Sequence, residues 1–271
     1  MCRLRDGMTL PAIGLGTYPL DDDEAERVVA GALEAGYRLI DTAMTYGNET
    51  GVGRAIAHSG IAREEIFVTT KLPGRDHGYE QALASFEGSR RRLGLDFVDL
   101  YLIHWPLPRL NQYVKCWQAL IRLHEESVTR SIGVSNFTVE HIQRLESQTG
   151  VLPSVNQIEM HPALPQRELR AFHETKGIRT QSWRPLGQGG TLLADPEVVG
   201  IAARHDVTPA QAVLRWQTQL GSVPIPKSAD PRRQRENLDI FGFELTDDEL
   251  SRISARSPHR IGGDPDDHEE F

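Results

Sequence analysis

An acid, a tyrosine, a lysine and a histidine, placed at or just beyond the ends of three successive apolar runs, are the residues of this chain best suited to moving a proton. Within residues 37–49 an apolar run ends in Asp41, and a polar, glycine-punctuated turn then carries Tyr46. Lys71 closes a second such run and His104 a third. A phenol has an unperturbed pKa of about 10, so it gives up a proton at neutral pH only with help from a neighbouring cation. Lys71, held by Asp41, would lower the phenol pKa of Tyr46 by stabilising its anion. Tyr46 could then protonate a carbonyl oxygen as a hydride arrives at carbon, with a neutral His104 orienting that oxygen by hydrogen bonding. These are the parts that carbonyl reduction requires. Two other uses stay open on residue types alone: a Schiff-base lysine at Lys71, as in aldolase-type lyases, or a barrel that binds dinucleotide as a regulatory subunit without turnover.

The elements that must position these groups follow from a repeated pattern of short β-branched runs, turns and amphipathic segments. Strands are expected over residues 13–17, 37–43, 66–72, 97–104, 131–137, 154–160, 178–183 and 222–227. Helices between them include 24–35, where Ala25, Val28, Val29, Ala32 and Leu33 fall at helical spacing before Gly36, and 79–93 and 208–220, each stopped by glycine. Asp21, Asp22, Asp23 and Glu24 read as a solvated cap at a positive helix end. Thr246 and Glu249 form a capping box that opens a last helix over 247–255. Strands alternating with helices predict a parallel sheet, and eight such units in about 250 residues predict a closed (β/α)8 TIM barrel. An open doubly wound sheet is the alternative, but it normally has fewer strands and a glycine fingerprint not found here. Asp6-Gly7 between two short arms predicts an N-terminal β-hairpin capping one end. No low-complexity linker interrupts the series, so residues 1–271 read as a single domain, with an acidic tail over about 261–271.

Composition is that of an ordinary soluble globule, 39% hydrophobic and 25% charged. Of the formal charge of −8, about −5 belongs to Asp264, Asp266, Asp267, Glu269 and Glu270 in the tail, leaving a mildly acidic body with no basic patch suited to nucleic acid. No stretch approaches the roughly 18 apolar residues of a membrane span, and no targeting segment is read at the start, so a cytoplasmic protein is expected, working as a monomer on small molecules. Cys2 and Cys116 make no ligand spacing, and no metal site is expected.

In a barrel of this kind the active site lies at the C-terminal ends of the strands. Those ends carry Gly16, Thr17 and Tyr18, then Asp41 and Tyr46, Lys71, His104 and Trp105, Ser135 and Asn136, Gln157 and Glu159, Trp183, and Lys227 and Ser228. With these on the page, the chain resembles the aldo-keto reductase family over essentially its whole length. Asp41, Tyr46, Lys71 and His104 match the family's catalytic tetrad in identity and order. Residues 36–47, 68–72, 98–106, 131–137 and 155–162 also read like the family. The string Ser182-Trp183-Arg184-Pro185-Leu186-Gly187-Gln188-Gly189 is most similar to bacterial reductases of the 2,5-diketo-D-gluconate type.

The hydride must come from a cofactor, and Gly14-Leu15-Gly16-Thr17-Tyr18-Pro19 breaks the Rossmann fingerprint at Pro19. The segment from Pro226 to Asn237 suits a phosphate better: a strand ends in Lys227 and Ser228, and Pro231 sits at a plausible first helical position, so phosphate could meet cations and a helix N-terminus together. The resemblance implies that Lys227, Ser228 and Arg233 bind the adenosine 2′-phosphate and Glu236 and Asn237 the adenine. It likewise implies that Ser135, Asn136 and Gln157 bind the nicotinamide carboxamide and that Trp183 stacks on its ring, with Gly16, Thr17, Leu186 and Gly187 completing the cofactor site. NADPH is therefore the expected cofactor, although Asp230 stands where close relatives carry a base and should weaken phosphate affinity.

Tyr18, Trp105 and His104 are expected to wall the substrate site. The short connection after His104, and the glycine-rich one after Trp183, predict an open, permissive mouth. Residues 261–271 either fold over that mouth or form a disordered tail.

Overall fold

The strand and helix alternation folds as its pattern demands. The computed structural model describes residues 1–187 and 190–270, in which eight strands form one sheet with every neighbouring pair parallel. An antiparallel pair, β1 (Cys2–Arg3) and β2 (Thr9–Leu10), precedes it. The first half of the body runs β3 (Leu15–Gly16), α1 (Asp22–Ala35), β4 (Leu39–Asp41), α2 (Glu49–His58), β5 (Phe67–Leu72), α3 (Tyr79–Leu93), β6 (Val98–Ile103) and α4 (Tyr113–Glu125). The second half runs β7 (Thr129–Ser135), α5 (Val139–Thr149), β8 (Val155–Glu159), α6 (Arg167–Lys176) and β9 (Arg179–Trp183). Two helices, α7 (Pro196–Arg204) and α8 (Pro209–Gln219), then lead to β10 (Ser222–Pro224), α9 (Pro231–Leu238) and α10 (Asp247–Ile253). The architecture is α/β and TIM-barrel-like. Across its two outer strands, the Gly14 and Gly16 amides donate to the carbonyls of Pro224 and Pro226, each at 3.0 Å.

All eight expected strands are present, several of them shorter than their apolar runs. β10 stops at Pro224 rather than residue 227 because Pro224 and Pro226 lack the N–H a ladder needs. β7 ends at Ser135 because Asn136 turns into the left-handed region, φ 64°. Caps are where the sequence puts them: Asp21 accepts from Glu24 N at 2.8 Å, and Thr246 and Glu249 form the reciprocal box that starts α10.

Two apolar layers hold the body together. The helices pack on the outside of the sheet through Val28, Leu33, Phe86, Trp117, Leu120 and Ile142, all buried. Inside the curl, Leu39, Phe67, Leu100, Leu102, Val155 and Val223 meet Leu4 and Leu10 of the hairpin. The hairpin is thus a plug at the N-terminal end of the strands. Asp6 fastens it by accepting from Ser131 Oγ at 2.6 Å and Ser154 Oγ at 2.7 Å. With that end filled, the opposite end is left for chemistry.

The contact between α1 and α2 is close enough to be tested. A Cβ on Gly51 would lie 1.9 Å from the carbonyl oxygen of Asp22, whose side chain also accepts from Gly51 N at 2.7 Å. Gly51→Ala gains about 1 kcal/mol of helix propensity, yet the clash forces the helices apart. A net loss of about 1–3 kcal/mol is expected in chemical denaturation; an alanine variant as stable as its parent would show that the helices do not approach this closely.

Candidate active site

Three strand ends deliver the four candidate catalytic side chains to one place. Asp41 ends β4, Lys71 is the penultimate residue of β5, and His104 follows β6, with its amide donating to Leu72 O at 3.1 Å. Tyr46 ends a single 3-10 turn, Met44–Tyr46, which Gly47 stops by taking φ 69°. Lys71 Nζ donates to Asp41 Oδ1 at 2.6 Å and to Thr42 O at 2.9 Å, and it reaches the Tyr46 hydroxyl at 3.4 Å. The other carboxylate oxygen of Asp41 accepts from Gln157 Nε2 at 2.7 Å. Lys71 and Asp41 are almost wholly buried, so their charges act through little water.

The electrostatics refine the expectation for Tyr46. Burial raises the phenol pKa above its ordinary value; the Lys71 cation pulls it down, while the Asp41 and Glu270 carboxylates push it up. The net direction is upward, contrary to the sequence expectation, so the phenol holds its proton firmly until a partner takes it. Burial works most strongly on Lys71, against its charge, but the Asp41 carboxylate and the Tyr46 hydroxyl together outweigh it and keep the pKa above the usual lysine range. A lysine so held, with three hydrogen-bond acceptors, is a poor Schiff-base nucleophile.

The residues expected around the nicotinamide converge on one another. Ser135 Oγ donates to Gln157 O at 2.8 Å, and Asn136 Nδ2 donates to His104 O at 3.0 Å and Ser135 Oγ at 3.1 Å. The indole N–H of Trp183 donates to Asn136 Oδ1 at 2.8 Å, fixing the ring at the end of β9, with the Arg184 guanidinium 5.3 Å from its centroid. Thr17 is buried and donates through Oγ1 to Asp41 O at 3.1 Å, and Gly16 lies in β3 against the Ile225 carbonyl. Leu186 packs on the helix-side core, and Gly187 turns at φ 56°; Gln188 and Gly189 lie outside the described residues.

At the other expected cofactor region, Lys227 and Arg233 are exposed, and their side chains have no ion-pair partner among the described residues. Ser228 and Asn237 are buried beside them, whereas Glu236 is 3.6 Å from Arg232. Pro231 does open α9, but the helix N-terminus is already capped. Asp230 Oδ1 accepts from Arg232 N at 2.8 Å and Arg233 N at 3.3 Å. The expectation of a phosphate on this helix end is therefore corrected: side chains, and not the end amides, are free to meet an anion. Asp230, read from the sequence as a repulsive charge, is a cap whose pKa is lowered by those two amides.

Around the mouth, Tyr18 is exposed and packs on Tyr46 at 5.1 Å between ring centroids, and Trp105 stands 6.4 Å from Trp183. The mouth is not open. The C-terminal segment lies across it, His268 stacking on Trp105 at 3.9 Å and Glu270 Oε1 approaching His104 Nδ1 to 2.7 Å. Among the described residues, the contacts of the ring are made at Nδ1, and Nε2 is the nitrogen without a hydrogen-bond partner. Of the two expectations for the tail, it takes the one in which it folds over the mouth, and Glu270 was missed as a site residue because nothing local announces it. A cleft of about 760 Å³ beside the tail is bounded by Asn136 and Glu159 and by none of the four catalytic candidates.

A buried lysine thus lies 3.4 Å from a phenol hydroxyl at the C-terminal end of a parallel α/β sheet. Comparison with known proteins identifies the family. Residues 12–257 match the model of the Aldo/keto reductase family. The chain is 51% identical over 269 residues to 2,5-diketo-D-gluconic acid reductase B of Corynebacterium sp., covering 99% of this chain and 97% of that protein. Among solved structures it is similar to an aldo/keto reductase from Brucella melitensis (49% identity, TM-score 0.90, covering 93% and 97%). It is also similar to a mutant of Gox0644 in complex with NADPH (46% identity, TM-score 0.94, covering 99% and 98%). The chain belongs to the aldo/keto reductase family of nicotinamide-dependent oxidoreductases.

Proposed function

We propose that this protein reduces aldehyde and ketone groups of small metabolites to alcohols, with NADPH as the hydride donor and Tyr46 as the proton donor. The observation that carries the reading is Lys71 Nζ, buried and bonded at once to Asp41 Oδ1 and the Tyr46 hydroxyl. A phenol with a raised pKa stays protonated until a carbonyl oxygen gains electrons, and the adjacent ammonium then stabilises the phenolate left behind. Asp41 keeps that ammonium charged and in place, while Gln157 keeps Asp41 in place. His104 directs Nε2 at the same oxygen.

NADPH supplies the hydride when bound. The chain offers fitting groups: exposed Lys227 and Arg233, without an ion-pair partner among the described residues, and the Ser228 hydroxyl for a phosphate, buried Asn237 and neighbouring Glu236 for adenine, the Trp183 ring for a flat face, and Ser135, Asn136 and Gln157 for an amide. All four catalytic groups come from one chain, so the site needs no second copy to be complete, and we take the working unit to be a monomer. The hydrogen bonds from Gly14 and Gly16 to the Pro224 and Pro226 carbonyls support a closed (β/α)8 barrel forming a single domain over residues 1–271.

Loss of nicotinamide absorbance with NADPH and with NADH, across neutral aldehydes, 2-oxo acids and sugar ketones, tests the reading. Consumption of neither cofactor with any carbonyl would end it. Arg233→Ala is expected to raise the KM for NADPH about ten- to hundredfold, the weight of a charge-assisted bond to phosphate, and to leave the KM for NADH within about threefold. Equal losses for both cofactors would take Arg233 away from the phosphate.

A further inference from the structure

The tail is too firmly held to be a mere covering. His259 N donates to Ala163 O at 2.8 Å, and the amides of Ile261 and Gly262 donate to the two carboxylate oxygens of Glu159 at 2.6 and 2.8 Å. Glu159 is itself fixed by His161 Nε2 at 3.0 Å. A Cβ on Gly262 would lie 2.3 Å from the Trp183 ring, so only glycine passes there. Farther on, Arg109 holds both Asp267 and Glu269 at 3.1 Å. The Gly74 amide donates to Glu270 Oε2 at 3.1 Å, and the Glu270 main chain lies hard against Gly74.

These contacts deliver one carboxylate to the histidine that faces the substrate. Burial opposes ionisation of Glu270, but the bonds to His104 and to the Gly74 amide hold its pKa below the ordinary carboxylate range. Of the imidazoles beyond His104, burial lowers the pKa of His77 to about 4, and it lowers that of His268 too, which limits the positive charge they bring near neutral pH. Toward Tyr46 the same carboxylate acts as a negative charge, pushing the phenol pKa up. Among the described residues, His104 and the Gly74 N–H are its polar partners.

We infer that Glu270 is a specificity-determining residue that disfavours substrates with a carboxylate beside the reacting carbonyl and leaves neutral aldehydes, ketones and esters of 2-oxo acids as the preferred class. The inference rests on the reductase reading above. A carboxylate attached to the carbonyl would face the charge of Glu270 across the His104 ring, where water is scarce and like charges repel. A neutral group in that position meets no such repulsion.

The test compares ethyl pyruvate with pyruvate, which share a ketone and differ in one charge, using the full-length enzyme and NADPH. The parent is expected to favour the ester. Glu270→Gln is expected to raise the ratio of kcat/KM for pyruvate to that for the ester about tenfold, mainly through the KM for pyruvate, on top of any change in Tyr46 and His104 that the two substrates share. Gly74→Ala, whose Cβ would lie 2.1 Å from the Glu270 carbonyl, should shift selectivity the same way without touching the carboxylate. An ester-to-acid ratio unchanged in both variants would overturn the inference. Calorimetric titration with pyruvate separates it from the reductase reading. Tighter binding by Glu270→Gln than by the parent supports a charge-selective site even where no carbonyl is reduced, and equal affinity rejects the site even where reduction is robust.

Discussion

Tyr46→Phe will bind NADPH as the parent does and reduce carbonyls about a hundred- to ten-thousandfold more slowly, the usual weight of a positioned general acid. Phenylalanine keeps the ring that packs between Tyr18 and His104, at 5.1 and 5.8 Å between centroids, so the mouth keeps its shape. The lost hydroxyl is the atom Lys71 reaches at 3.4 Å, and Lys71 retains its bonds to Asp41 and Thr42. No buried charge is orphaned, so stability should move little. Fluorescence titration with NADPH and single-turnover oxidation separate the two effects. A phenylalanine variant turning over within a factor of three of the parent would hand the proton-donor role to another group.

Much of this site was legible in the sequence because it is built from strand ends. An apolar run that stops in Asp41, Lys71 or His104 announces both where the strand ends and what chemistry it presents, and the sheet brings those ends together. What stayed hidden depends on burial or on distant pairing. The sequence shows a lysine near Tyr46 but not how deeply the phenol lies, and burial reverses the expected pKa direction. Asp230 is visible as a charge, whereas its direction, into the first amides of α9, is set by the turn. The sequence leaves the tail open between a cover over the mouth and a disordered acidic stretch because its partners are remote: Arg109 is 160 residues from Glu269, and Gly74 is 196 from Glu270. No window of local composition contains both halves of such a contact.

Lys71→Met should be the most damaging single change, because it removes the cation from two places at once. Methionine fills most of the buried volume, but among the described residues it leaves Asp41 with Gln157 as its one side-chain hydrogen-bond donor in a buried site. Breaking a buried pair from one side costs about 3–5 kcal/mol. That is a large part of a typical total stability of about 5–15 kcal/mol, yet it leaves a folded population. The activity falls for a separate reason: without the ammonium nothing stabilises the phenolate that Tyr46 becomes, and Asp41 and Glu270 both oppose that charge. A loss of a hundredfold or more in single-turnover reduction is expected. Lys71→Met combined with Asp41→Leu removes both charges, so it should recover most of the stability and none of the activity. Urea midpoints and rates measured on the parent, the single and the double variant distinguish the two roles. If the double variant unfolds as early as the single one, the cost lies in packing and not in an uncompensated carboxylate; if it regains turnover, the cation is not what makes the Tyr46 proton transferable.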